Sequence, residues 1–137
     1  MLMPKKVKFR KVQRGGKIKG KSNRGNLLSF GDFGIKTIDI GMINAREIEA
    51  SRRAMTRYAQ KGGKIWIRIF PDHSMTKKGA EVPMGKGKGA PDRFVSKVRP
   101  GKILFEMGGV SREIAKKAMK LASDKLSVRT RFVSKND

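Results

Sequence analysis

The run Met84-Gly85-Lys86-Gly87-Lys88-Gly89 is the part of the chain best suited to meeting a charged ligand. Its glycines let a backbone come close, and its lysines project ammonium groups from a permissive loop. A phosphate-cradling nucleotide loop needs a glycine five residues before the Gly-Lys pair and Ser or Thr just after it. Counting back from Gly85 reaches Ala80, and from Gly87 reaches Val82, while Gly87 and Gly89 stand where the hydroxyl belongs. The dinucleotide pattern fails too, since its spacing does not match glycines at 85, 87 and 89. Two readings stay open: a flexible hairpin tip, or a device for touching an RNA backbone without reading bases.

A second constellation lies on the segment after Asn44. At 100° per residue, Met55 and Ala59 fall within about 20° of Ile48 and form an apolar stripe. Arg46, Arg53 and Arg57 fall at roughly 140° to 180°, on the opposite face. Three guanidiniums in a row suit a ladder of phosphates. The same face also fits an ordinary solvated helix, with Glu49 and Arg53 as an i,i+4 pair.

Other chemistries find little support. The chain has no cysteine and one histidine, His73, which removes disulfides, thiolate catalysis and the common zinc ligand sets. His73, after Pro71-Asp72, reads as a loop residue. Asp72, Glu81 and Asp92 are dispersed among lysines and nominate no acid/base pair. Trp66, Phe94, Phe105 and Tyr58 could stack on bases, but each sits in an apolar pattern and is assigned to the core. The expectation is no catalytic residue, no metal and no cofactor.

These groups must be held by a small set of elements. LLSFGDF from Leu27 and IKTIDI from Ile35 read as short strands. Asn44 with Glu47 forms a capping box for a helix running to Lys61, where Gly62-Gly63 stops it. KIWIRIF, Lys64 to Phe70, alternates as a strand, with Ile65, Ile67 and Ile69 opposite Trp66, Arg68 and Phe70. A long irregular stretch carries the Gly-Lys run. FVSKV and KILFEM follow as strands joined by a turn at Arg99-Pro100-Gly101. Ser111 caps a second helix whose buried face is expected at Ile114, Ala118, Leu121 and Ala122, with Arg112, Lys116 and Lys120 opposite. LSVRTRFVS closes the chain as a last strand. The order indicates an α+β fold.

Charge sets the class of partner. Thirty-four Lys and Arg against 11 Asp and Glu leave +23 on 137 residues, a balance that calls for a polyanion. Neither a spanning apolar run nor an amphipathic anchor helix is present, so nucleic acid is preferred to membrane. Residues 1–31 hold ten of these cations and no acid. With few apolar residues, apart from a strand-like alternation at Val7 and Phe9, the segment cannot offset its ordering entropy alone. We divide the chain into a basic tail, 1–26, that orders on its partner, and a single α+β domain, 27–137. No secretory signal is evident, and cytosolic residence is expected.

Six motifs in order carry a resemblance along the whole chain: Met1-Leu2-Met3-Pro4-Lys5 with Phe9-Arg10-Lys11, then Ser29-Phe30-Gly31, Ile48-Glu49-Ala50 to Arg52-Arg53-Ala54-Met55, Gly63-Lys64-Ile65-Trp66-Ile67-Arg68, Phe70-Pro71-Asp72, and Met84 to Gly89. Together they resemble bacterial-type large-subunit ribosomal protein L-sixteen. The resemblance implies an α+β fold with a hammerhead-like β element and no enzymatic activity. It implies binding to large-subunit ribosomal RNA near the peptidyl-transferase centre and to the 5S RNA region. It also implies contact with A-site transfer RNA, extending to the P site, and with neighbouring ribosomal proteins, as one copy per ribosome in the cytoplasm.

On that reading Lys5, Lys6, Lys8, Arg10, Lys11, Arg14, Lys17, Lys19 and Arg24 of the tail anchor on ribosomal RNA together with Arg46, Arg53 and Arg57. Met84, Gly85, Lys86, Gly87 and Lys88 face transfer RNA. Many relatives have Arg immediately before the Met-Gly-Lys-Gly run where this chain has Pro83, so that arginine's role is not carried over. The rival class is a basic DNA-compacting protein, which would need a dimer interface or an apolar minor-groove wedge. A nucleotide hydrolase ranks third.

Overall fold

A computed structural model of the chain describes residues 2–4, 22, 25–59, 62–76 and 91–136. The elements in order are β1 (Phe33–Thr37), β2 (Gly41–Asn44), α1 (Ala45–Ala59), β3 (Lys64–Ile67), β4 (His73–Thr76), β5 (Pro91–Val98), β6 (Ile103–Gly108), α2 (Arg112–Ser123) and β7 (Thr130–Ser134). This is the α+β class expected. The strands form a four-stranded sheet ordered β3-β6-β1-β7 and a three-stranded sheet ordered β2-β5-β4. Every strand pair among them is antiparallel.

One face of the larger sheet points Phe105 and Met107 of β6 and Ile35 of β1 into the core, joined by Ile48 and Met55 of α1 and Ala115, Ala118, Met119 and Ala122 of α2. All six residues of β6 are buried. The helices cover one side of β6, and residues 25–31 come against the other. A bulge between Ile35 and Lys36 on β1 shifts the register, so that Phe105 and Ile103 rather than Phe105 and Leu104 are the consecutive β6 partners.

Several sequence expectations are refined. The capping box at α1 is present: Asn44 Oδ1 accepts from the Glu47 amide at 2.8 Å, and Glu47 Oε2 accepts from the Asn44 amide at 2.9 Å. The described helix ends at Ala59, and residues 60 and 61 lie outside the described residues. Ser111 caps α2 by accepting from the Ile114 amide at 3.3 Å.

The buried stripe of α2 is Ala115, Ala118, Met119 and Ala122, rotated by about 65° from the expected one. Ile114 and Leu121 are 39% and 41% exposed. Packing against α1 explains the shift. Alanines let the two helix backbones approach, and Ser51 Oγ of α1 donates across the gap to the Ala122 carbonyl at 3.1 Å.

Three strand assignments are shorter than expected. LLSFGDF is a loop up to Asp32, because its amides bond to a side chain instead of a neighbouring strand. KIWIRIF is strand only to Ile67, although the Arg68 amide still donates to the Leu104 carbonyl at 3.0 Å. The last strand begins at Thr130 rather than Leu126. His73 opens strand β4, opposite Val95, and is not a loop residue.

Arg99-Pro100-Gly101-Lys102 is a tight turn, closed by Lys102 N–H to the Arg99 carbonyl at 3.1 Å, with Gly101 at φ 97°. Pro at the second position and a left-handed Gly at the third make it type II. It does not build a hairpin. It carries the chain from β5 in one sheet to β6 in the other.

Candidate nucleic-acid interface

The face of α1 opposite its buried residues presents Arg46, Arg53 and Arg57, all exposed. The capping box fixes where α1 starts, and Ile48, Ser51 and Met55 fix its rotation by being buried. These two constraints put the three guanidiniums outward. Glu49 modifies the pattern. Its carboxylate accepts from Arg52 Nη2 at 2.6 Å and from Arg53 Nε at 3.2 Å. The Arg52 and Arg53 guanidiniums hold the Glu49 carboxyl down at about 2. Arg53 nevertheless remains 71% exposed, and an exposed pair of this kind costs little to exchange for a phosphate. Among the described residues none pairs with Arg46 or Arg57.

Two further acids are engaged by cations of the fold. Asp39 receives Arg129 through Nη2 at 2.7 Å and through the Arg129 amide at 2.8 Å, which holds its carboxyl below the ordinary value. Asp124 pairs with Lys120 at 3.3 Å. Each pair cancels one surface cation, and the large excess of Lys and Arg over acids leaves the surface field positive.

Glu106 is the most heavily partnered acid, and the sequence reading passed it over. It is fully buried on β6. Its Oε1 accepts from three consecutive amides, Ser29 at 3.0 Å, Phe30 at 2.9 Å and Gly31 at 2.9 Å, and its Oε2 accepts from Arg68 Nη1. Burial alone would push the pKa of its carboxyl up, but the amides of Gly31 and Phe30, the Arg68 guanidinium and the Ser29 amide together hold it below the ordinary glutamate value. A lone acid inside the apolar run Ile103-Leu104-Phe105-Glu106-Met107 was the signal available in the sequence.

Gly31 is what lets this loop approach. A Cβ there would lie 2.6 Å from the Met107 carbonyl oxygen. The clamp sets Phe30 on the surface beside Trp66, with ring centroids 6.1 Å apart at 18°, and beside Arg68, whose guanidinium carbon is 5.3 Å from the Phe30 centroid.

Of the aromatics assigned to the core, Phe105 is fully buried, while Trp66 and Phe94 are half-buried. Tyr58 is a correction: it is 38% exposed, on the outer part of α1 near Arg57. At 100° per residue it falls about 80° from Ile48, beside the buried stripe of Ile48 and Met55 and not within it.

The structure does not bring all nominated residues together. Lys5, Lys6, Lys8, Arg10, Lys11, Arg14, Lys17, Lys19 and Arg24, the alternation at Val7 and Phe9, and the loop Met84, Gly85, Lys86, Gly87 and Lys88 lie outside the described residues. Two described points of the N-terminal segment touch the domain: Leu2 packs against the core, and the Ser22 amide donates to the Pro100 carbonyl at 2.9 Å. Strands β4 and β5 are antiparallel neighbours, and the Gly-Lys run belongs to the segment that joins them. Among the described residues no His, Cys, Asp or Glu cluster could hold a metal ion, and no helix is long and apolar enough to cross a membrane.

A small α+β domain with a large excess of cations and an outward row of arginines on one helix is built to bind a polyanion through its surface. The model of the ribosomal protein L16p/L10e family matches residues 4–133, and the chain belongs to that family. It is a structural, RNA-binding protein of the large ribosomal subunit and acts in translation.

Proposed function

We propose that the chain braces converging segments of large-subunit ribosomal RNA near the peptidyl-transferase centre and the 5S RNA region, and that its Gly-Lys run meets transfer RNA in the A site, extending to the P site. Guanidinium and ammonium groups neutralise phosphates where RNA helices approach, lowering the repulsion that opposes their packing. No bond is made or broken. The observation that carries this reading is the outward row of Arg46, Arg53 and Arg57 on a helix whose rotation is set by its cap and its buried residues.

In this reading residues 1–26 form a basic arm that orders on RNA, and 27–137 form the domain that holds the arginine face. Leu2 and Ser22, both held against the domain, would fix two points of that arm. Lys86 and Lys88 supply charge to the transfer-RNA contact while their flanking glycines allow close approach. The chain acts as one copy per cytoplasmic ribosome, beside neighbouring ribosomal proteins.

Salt tests it. Affinity for a ribosomal RNA fragment should fall linearly in log-log form, by about 0.7 to 0.9 per phosphate neutralised. A slope near zero, or tighter binding to duplex DNA than to the RNA in competition, would overturn the proposal.

A further inference from the structure

The ring of Phe30 stands out among the exposed apolar groups because it is displayed by a rigid mount. It is 61% exposed, yet its own amide and those on either side of it are tied to one buried carboxylate oxygen of Glu106. Trp66 and Arg68 support the ring through offset contacts at 6.1 and 5.3 Å, which leave most of it open to solvent. A hydrophobic side chain left in water on a flexible loop would collapse onto the body. Here the backbone is fixed by three amide hydrogen bonds converging on Glu106, so the ring is presented with little ordering entropy left to lose on binding.

Its surroundings hold two cations, of which Arg68 is ion-paired to Glu106 and Lys102 supplies the net positive charge. Arg68 lies beside the ring, and the Lys102 ammonium lies against Gly25 at the start of the same loop, where an added Cβ would be 2.4 Å from Lys102 Nζ. An aromatic face flanked by positive charge on a +23 chain matches the pairing used for unpaired nucleotides, in which a base stacks while its phosphate is neutralised.

We propose that Phe30, mounted on Trp66 and Arg68, is a stacking platform for a single unpaired nucleobase of RNA. This rests on the phosphate-binding reading above and adds a contact of a different kind: the arginine face of α1 holds backbone, and Phe30 selects RNA whose bases are free to splay out.

The test uses the full chain and two RNA probes carrying the same number of phosphates, a hairpin with an unpaired purine loop and a blunt duplex. Phe30→Ala and Phe30→Leu should weaken hairpin binding about 5- to 100-fold, as expected for loss of stacking on one base, and leave duplex binding unchanged. Phe30→Tyr should retain the affinity of the unaltered chain. Phe30→Leu keeps apolar bulk over Trp66, so it stays informative if Phe30→Ala fails to fold, with the emission of the lone tryptophan reporting the integrity of the mount.

Equal losses on both probes, or no loss on either, would overturn the platform. So would reduced incorporation into large subunits with hairpin affinity intact, which would assign the ring to a neighbouring protein. A flat salt dependence of the unaltered chain would sink the phosphate reading. A normal salt slope with a silent Phe30→Ala would sink the platform alone.

Discussion

Arg68 and Glu106 meet diagonally across the β3–β6 pair. Trp66 is the direct partner of Glu106 in the register, and the guanidinium two residues further on closes over the free side of the carboxylate. The three amides of Ser29, Phe30 and Gly31 occupy the other oxygen. This one buried charge therefore joins the edge strand, the central strand and the loop that leads into β1.

Removing either partner should cost differently. Glu106→Ala leaves three amides and a guanidinium without their acceptor and is expected to destabilise by about 3–5 kcal/mol. Glu106→Gln keeps one acceptor oxygen and should cost roughly 1.5–3 kcal/mol. Arg68→Ala should fall below Glu106→Ala, because the amides still hold the carboxylate and Arg68 retains some exposure. Urea titrations of the three variants give the order, and a larger loss for Arg68→Ala than for Glu106→Ala would refute it.

Acid should unfold the protein through the same residue. The folded carboxyl of Glu106 titrates below its ordinary 4.5, so the stability contributed by its charged form is complete above that pH. It is lost as pH falls through the lower folded value. Glu49, at about 2, and Asp39, also lowered, act with the same sign, but they are exposed pairs of small weight. Melting temperatures between pH 7 and 3 should drop steeply for the native chain and less steeply for Glu106→Gln.

Gly31 is expected to tolerate no side chain. A methyl group there would meet the Met107 carbonyl oxygen at 2.6 Å and its carbon at 2.9 Å, both on the backbone of the central strand. The loop must retreat, which lengthens its bonds to Glu106. Gly31→Ala should cost about 1–3 kcal/mol, the usual range for overpacking. It should also lower hairpin binding together with Phe30→Ala if the mount positions the ring. Melting curves and the hairpin assay read the two effects separately.

On α1, replacing Arg46, Arg53 and Arg57 together by Gln should reduce the salt slope of RNA binding by up to about 2–3, the sum expected for three phosphates. Glu49→Gln should act in the opposite direction on affinity, because it releases Arg52 and Arg53, while the helix loses only an exposed pair. A filter-binding series from low to high salt measures both. An unchanged slope in the triple variant would remove this face from the interface.

Much of this protein was legible in its order of residues. The capping box at Asn44 and Glu47, the outward arginines, the cap at Ser111 and the turn at Pro100-Gly101 are local, set by contacts three or four residues apart or by backbone preference, and they stand in the fold as read. The excess of positive charge needs no fold to define the class of partner. Contacts between distant segments were not legible. Periodicity ranked Ile114 and Leu121 above Ala115 and Met119, because hydrophobicity cannot show that the opposing surface is a helix that packs closely over Ala115, Ala118 and Ala122. It assigned Ser29 to Gly31 to a strand, because nothing local reveals that a carboxylate 75 residues away takes their amides. The sequence by itself determined the basic, acid-poor surface and the local elements that carry it. Only tertiary structure decided which acids turn inward and which ring is left outside, since burying a charge is tolerated only where several donors from separate segments converge on it.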